Sequence, residues 1–339
     1  MKILIIRNDK LGDFVLSLPV FHLIKQHIPA VTLHAFVPKY TREIAEHDPC
    51  IDKVIIDPGS SADIINQLNI LNIIRHEKYD AIITLYSTFR VGLLGYFSGI
   101  KYRLAPATKI SQIFYNHRLT QRRSRSLKPE YEYNLDLARQ FLTDFKYDTQ
   151  YDLSPPLIKF TESEINETRK IFAQEYGLST DKKLIFIHPG TGGSATNLDL
   201  AQYAALAKKL SINNKYCFVI TAGPSETEFA NDLASLLSDL PHIVYSSTKG
   251  LLHFAKIIQL CELFISGSTG PLHIAGALNR PTAAFYQRRR SATPLRWQTL
   301  NAEDRRLAFT PPEGEDESDM KNVDIQSAAD AINTKFLKN

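Results

Sequence analysis

MKILIIRNDKLGDFVLSLP, residues Met1–Pro19, is the stretch on which the fold turns. Its run KILII has the length and branched character of a buried strand, a short polar turn containing Gly12 follows, and Phe14, Leu18, Phe21 and Ile24 then recur at helical spacing. A strand feeding a helix through a tight turn is the first half of a βαβ unit. Pro19 interrupts the helical pattern early and predicts a kink. The turn sets Arg7, Asn8, Asp9, Lys10 and Asp13 beyond the carboxyl end of the strand, where open α/β sheets bind their ligands. On the residues alone, Asp13 reads equally well as an acid at a helix N-terminus.

Working outward, VTLHAFV (31–37), KVIID (53–57) and AIITLY (81–86) continue the strand signal between helical patterns, which predicts a parallel sheet. Residues from about 106 to 135 become basic and polar, as a long functional loop or short helices would. DLSPPLIKF (152–160) reads as an extended linker. Beyond it the alternation restarts with KLIFIH (183–188), YCFVIT (216–221), HIVY (242–245), LFIS (263–266) and TAAFY (282–286). The chain therefore reads as two doubly wound, Rossmann-like α/β domains, 1–155 and 156–323, with a tail helix over 324–338 expected to return to the first domain.

A length of 339 residues with 44% hydrophobic and 22% charged side chains suits two globular domains and excludes large-scale disorder. Cys50, Cys217 and Cys261 are scattered and odd in number, which argues against a disulfide framework or a CxxC metal site and fits a reducing cytoplasm. No apolar run approaches the roughly 18 residues of a membrane span, so any meeting with a membrane is expected at its surface. The net charge of +4 is unevenly spread. HRLTQRRSRSLK (117–128) carries Arg118, Arg122, Arg123, Arg125 and Lys128 without an acid, Arg288–Arg290 form a second basic run, and EGEDESD (313–319) is acidic. Two basic runs point to an anionic partner. The first lacks interleaved aromatics and the chain shows no nucleic-acid module, so a nucleic acid is not that partner.

In the second domain three loops follow strands. HPGTGGSATN (188–197) offers Gly190, Gly192 and Gly193, whose backbone N–H groups could approach a phosphate, although it matches neither GxxxxGK[ST] nor GxGxxG. TAGPSETE places Glu226 near a helix start, where an acid also simply suits the helix dipole. SGSTGPLHIAGALNRP (266–281) groups Ser268, Thr269 and Gly270 ahead of His273. Three such loops on one sheet predict a nucleotide site.

KILIIRNDKLGDFVLSLP, HPGTGGSATNL and STGPLHIAGALNRPTAAFY together resemble the ADP-heptose:lipopolysaccharide heptosyltransferases, glycosyltransferase family nine, over most of the chain. The resemblance implies a GT-B architecture, in which an acceptor domain and a nucleotide-sugar domain face each other across a cleft. It implies an inverting, metal-independent transfer with no cofactor beyond the donor, a nucleotide-diphosphate sugar such as ADP-heptose. The acceptor would be a lipid-linked anionic glycan of the lipopolysaccharide core, met by a cytoplasmic protein at the inner face of the inner membrane. The family's GD-x-x-x-x-x-P aspartate falls on Asp13, the implied general base. Thr191, Gly192, Gly193, Ser194, Thr196, Ser268, Thr269, Gly270 and His273 would surround the donor diphosphate, and Glu226 the nucleoside. Arg7, Asn8, Lys10, Arg122, Arg123 and Arg125 would serve the acceptor. Family members commonly carry a lysine in the loop after HPG, where this chain has Thr196 and Asn197, and many have aspartate at Ser268; Arg288–Arg290 are a substitute source of charge. These departures leave open a different nucleotide sugar for another surface glycan, or a binding protein without turnover.

Overall fold

The computed structural model describes residues 1–108, 110–192, 196–211, 215–314 and 319–337. The chain divides into two compact units, Met1–Leu153 and Ser154–Asn339.

The first unit runs β1 (Lys2–Ile6), α1 (Leu11–Val15), α2 (Leu18–His27), β2 (Thr32–Pro38), α3 (Arg42–His47), β3 (Lys53–Asp57), α4 (Ile64–Glu77), β4 (Ala81–Thr84), α5 (Phe89–Phe97), β5 (Tyr102–Pro106), β6 (His117–Leu119) and α6 (Glu130–Asp144). All six strands are parallel, in the order β3-β2-β1-β4-β5-β6. β1 lies at the centre, Ile3 facing Leu33 on one side and Ala81 on the other, and Ile3 to Ile6 are fully buried. A strand covered on both faces reads as an unbroken apolar run, which is why KILII does not alternate. The helical pattern expected after it is split. α1 stops at Val15 and α2 restarts at Leu18, with Pro19 in its first turn, where a missing N–H costs nothing.

The basic stretch expected as loop or short helices contains two 3₁₀ turns, Ile110–Phe114 and Arg123–Arg125, and the edge strand β6.

The second unit runs α7 (Glu162–Glu175), β7 (Lys183–His188), α8 (Leu200–Leu210), β8 (Tyr216–Ala222), α9 (Thr227–Leu236), β9 (His242–Ser246), α10 (Leu251–Ile258), β10 (Leu263–Gly267), α11 (Gly270–Ala277), β11 (Thr282–Phe285), β12 (Arg306–Phe309) and α12 (Ile325–Ile332). Its parallel sheet has the order β12-β11-β10-β7-β8-β9. Thr161 with Glu164 and Asp199 with Gln202 form capping boxes that start α7 and α8. The second half of the linker is anchored within this unit, since the N–H groups of Leu157 and Ile158 both donate to Ala277 O, at 2.8 and 3.1 Å.

The tail helix, expected to return to the first domain, packs within the second unit on α8, where Ala328, Ala329 and Ile332 join the core that holds Leu206 and Leu210. Gln202 Nε2 donates to Met320 O at 2.9 Å and Asn333 Nδ2 to Lys209 O at 3.3 Å. Ile325, Ala328, Ala329 and Ile332 fall on one helical stripe, and α8 offers the matching small-residue surface.

Candidate functional site

Each sheet reverses its direction of strand addition once, between β1 and β4 in the first unit and between β7 and β10 in the second. The crevice at such a switch point, at the carboxyl ends of the strands, is where doubly wound sheets bind ligands.

At the first switch point Arg7 immediately follows β1 and is 2% exposed. Each of its three guanidinium nitrogens donates a hydrogen bond. Nε donates to Asp9 Oδ1 at 2.8 Å, Nη1 to Glu130 Oε1 and Asn134 Oδ1, both at 3.0 Å, and Nη2 to Asp13 Oδ1. Asp13, in the first turn of α1, is 9% exposed. Burial pushes its carboxyl up to about 6, against the pull of Arg7 and with help from Asp9 and Glu130. Arg7, expected on the acceptor side, is buried here and its guanidinium holds Asp13 in place.

Asn8 is part-buried, its Nδ2 donating to Asp57 Oδ2 at 2.5 Å, and Asp57 in turn accepts from Arg90 and from the Gly59 N–H. Arg123 donates to Gln121 Oε1 and to Glu130 Oε1, both at 2.8 Å, which joins it to Asp13 through Glu130 and Arg7. Lys10, Arg122 and Arg125 are exposed. Of the six groups expected on the acceptor side, these three are fully exposed, Asn8 and Arg123 are part-buried and Arg7 is buried.

Two tyrosines at this edge escaped the sequence reading. Tyr40, just after β2, donates its hydroxyl to Asp9 O at 2.5 Å, and burial with Asp9 and Asp13 pushes that hydroxyl up to about 12. Tyr86, 39% exposed, has its ring centroid 6.0 Å from the Arg7 guanidinium carbon. The signal was present in AIITLY, taken whole as a strand: β4 ends at Thr84 and releases Tyr86 into the switch-point loop.

At the second switch point Ser266 Oγ donates to His188 O at 3.0 Å and lies 3.0 Å from Thr269 Oγ1. Thr269 stands at the N-cap of α11 without capping it, because its hydroxyl turns to Ser266. Ser268 and Gly270 are part-exposed beside it. His273 is buried, its ring set edge-on to Trp297 at 6.4 Å, and burial lowers it to about 4, so it is neutral at physiological pH. Its Nδ1 has no hydrogen-bond partner among the described residues.

Glu226 joins the β7 and β8 loops, its carboxylate accepting from Gly192 N at 2.8 Å and Gly223 N at 3.0 Å, with His188 Nε2 3.6 Å away. A Cβ on Gly190 would stand 2.3 Å from that carboxylate, which is why glycine is needed there. Asn197 ties the β7 loop to its surroundings, donating to Pro189 O at 2.9 Å and accepting from Leu198 N at 3.0 Å and the Tyr203 hydroxyl at 2.5 Å. Thr196 is exposed and Thr191 part-buried, while Gly193 and Ser194 lie outside the described residues. Arg288 is turned to Pro311 O and Glu313, at 2.7 and 3.1 Å, and Arg289 and Arg290 are exposed.

Among the described residues one set of potential metal ligands occurs, His22, Asp48 and Cys50, with ligand atoms within 4.8 Å of one another. It lies at the amino edge of the first sheet. His22 and Asp48 already pair at 2.9 Å, and burial with Asp48 pushes the Cys50 thiol up to about 11, which keeps it protonated.

Comparison with known proteins gives the family and the fold. The model of "Glycosyltransferase family 9 (heptosyltransferase)" matches residues 68–323. A Haemophilus influenzae protein, provisionally named a glycosyltransferase with no sugar specified, is 46% identical over 100% of this chain and 97% of its own. Lipopolysaccharide heptosyltransferase 2 of Escherichia coli is 24% identical over 84% of this chain and 82% of its own. The solved structure of E. coli ADP-heptose lps heptosyltransferase II covers 99% of both chains with a TM-score of 0.77 at 22% identity, a likeness of fold.

Proposed function

Because the chain belongs to glycosyltransferase family 9 (heptosyltransferase), we propose that this glycosyltransferase moves heptose from ADP-heptose to a lipopolysaccharide core acceptor, with Asp13 as general base. The observation that carries the reading is the Arg7–Asp13 pair at the switch point of the first sheet. Arg7 holds Oδ1, which leaves Oδ2 to take the proton of an acceptor hydroxyl. As that proton leaves, the hydroxyl oxygen forms its bond to the anomeric carbon and the bond from that carbon to the diphosphate oxygen breaks, inverting the centre. A carboxyl raised to about 6 remains largely ionised at neutral pH and is a stronger base than an ordinary aspartate.

Charge gathering on the leaving diphosphate is met, in this reading, by N–H groups of the Gly192 and Gly270 loops and by the Ser268 and Thr196 hydroxyls, without a metal ion. Neutral His273 can donate or accept a hydrogen bond there but adds no charge. Lys10, Arg122 and Arg125 receive the anionic acceptor. No helix among the described residues is long and apolar enough to cross a membrane. In this reading the protein reaches its lipid-linked acceptor from the cytoplasmic surface of the inner membrane.

A second reading keeps the chemistry and changes the donor. It is favoured by Asn197, which is spent on Pro189, Leu198 and Tyr203 where family members commonly place a lysine. Calorimetry with ADP, UDP and GDP separates the two, since tighter binding of UDP or GDP than of ADP counts against ADP-heptose. Transfer assays with Asp13→Asn test the base. Transfer by the variant at the wild-type rate would remove Asp13 from the mechanism, and absence of transfer by the wild type with any donor would leave a binding protein.

A further inference from the structure

Ile110 and Ile113, on the 3₁₀ turn after β5, are 70% and 63% exposed, and Leu127, on the loop before α6, is 69% exposed. That turn rests on α5 through Phe114, whose ring centroid lies 5.1 Å from that of Phe89 and 6.1 Å from that of Tyr96. Phe89, Tyr96 and Phe97 each keep about half of their surface in water. The loops after β4, β5 and β6 are joined, because Ser87 Oγ donates to Ser111 Oγ at 2.9 Å and Ala107 N to Leu119 O at 2.8 Å. The exposed Ile110 and Ile113 thus sit beside the half-exposed aromatics of α5, and Leu127 adds an exposed apolar side chain on the loop between β6 and α6.

The charge around it is one-sided. Between Asp80 and Glu130 the sequence has no acidic residue and nine lysines and arginines. Arg118, Arg122 and Arg125 are exposed and form no side-chain ion pair among the described residues. Exposed apolar side chains among unpaired cations match the boundary of a bilayer with acidic head groups, where acyl chains take the former and phosphates the latter.

We propose that this face of the first unit docks on an anionic lipid bilayer. The basic segment 117–128 itself carries no Phe, Tyr or Trp on which a nucleobase could stack, which separates it from a single-strand binding site. A second copy of the chain related by a two-fold axis would set the arginines against themselves. The inference deepens the proposed function and rests on its lipid-linked acceptor, since Arg123 connects this surface to Glu130, Arg7 and Asp13.

The test is co-sedimentation of the full chain with phosphatidylcholine vesicles, with and without phosphatidylglycerol, beside the Ile110→Asp/Ile113→Asp variant. Wild type binds the anionic vesicles on the order of a hundredfold better than the neutral ones, roughly fivefold for each of three exposed arginines, and salt weakens the binding. The variant, with unchanged thermal unfolding, loses binding by a similar factor. Equal binding to both vesicles, no binding, or a variant that binds like wild type overturns the proposal. A salt-sensitive dimer abolished by the same substitutions, without vesicle binding, assigns the surface to a second copy and also overturns it. Calorimetry with ADP runs alongside: vesicle binding without nucleotide binding fails the proposed function and spares the surface, and the reverse result fails the surface alone.

Discussion

Arg7 Nη2 donates to Asp13 Oδ1 while Nη1 of the same guanidinium donates to Glu130 Oε1 at 3.0 Å, so a residue from α6 fixes the aspartate on α1. Replacing Arg7 with methionine leaves Asp9, Asp13 and Glu130 crowded without their shared cation. The expected loss is about 3–5 kcal/mol, the usual cost of breaking a buried pair, measured by urea unfolding. In whatever fraction stays folded, the acid limb of kcat/KM moves to higher pH, because Arg7 is what pulls the Asp13 carboxyl down. Arg7→Lys retains the charge and is expected to fall between the two.

The wild-type pH dependence has a definite sign. Asp13 goes from 3.8 when unfolded to about 6 when folded, so the folded state holds its proton more tightly. Its contribution to stability is therefore present at low pH and is lost as pH rises through that interval. A shift of this size is worth on the order of 3 kcal/mol. Stability of Asp13→Asn relative to wild type is expected to improve as pH rises across the interval, as read by denaturant titration at several pH values. Transfer by the wild type should run the opposite way and increase with pH through about 6, where the base ionises.

Gly267 and Gly190 test the donor loops. A Cβ on Gly267 would lie 2.6 Å from Asn197 Oδ1, and one on Gly190 would lie 2.3 Å from the Glu226 carboxylate. Either alanine forces a displacement of the side chain that ties the β7 loop in place. Donor affinity is expected to fall about tenfold or more, for roughly 1.4 kcal/mol of lost preorganisation, with the pH dependence of transfer unchanged. Calorimetry with ADP reads the first quantity and a pH profile the second.

Tyr86 separates ring from hydroxyl. Its ring faces Arg7 at 6.0 Å, and its hydroxyl makes no hydrogen bond among the described residues. Tyr86→Phe should leave transfer near wild type. Tyr86→Ala should raise the acceptor KM several-fold, for about 1 kcal/mol of aromatic contact, and leave ADP binding alone. Steady-state kinetics with varied acceptor decides the point.

The central strands were legible because parallel strands buried on both faces form unbroken apolar runs, as in KILII and YCFVIT. β5, β6 and β12 were not, since YRLAP, HRL and RLAF are short and each carries an arginine. Residues near the two switch points could be named from strand ends alone. What Arg7 does there could not, because its partners Glu130 and Asn134 come more than a hundred residues later and only the fold brings them to β1. Asn197 looked like a missing cation and is a tie between the β7 loop and Tyr203. The apolar stripe of α12 was visible, but which surface it covers depends on the shape of α8.

The most direct test of Asp13 as base is a single-turnover transfer assay with ADP-heptose and a lipopolysaccharide core acceptor, wild type against Asp13→Asn, with ADP binding measured on both by calorimetry. The account predicts that the variant binds ADP as wild type does and transfers at least about a hundredfold more slowly, the scale of a lost general base. A variant that transfers at the wild-type rate with intact ADP binding would contradict it.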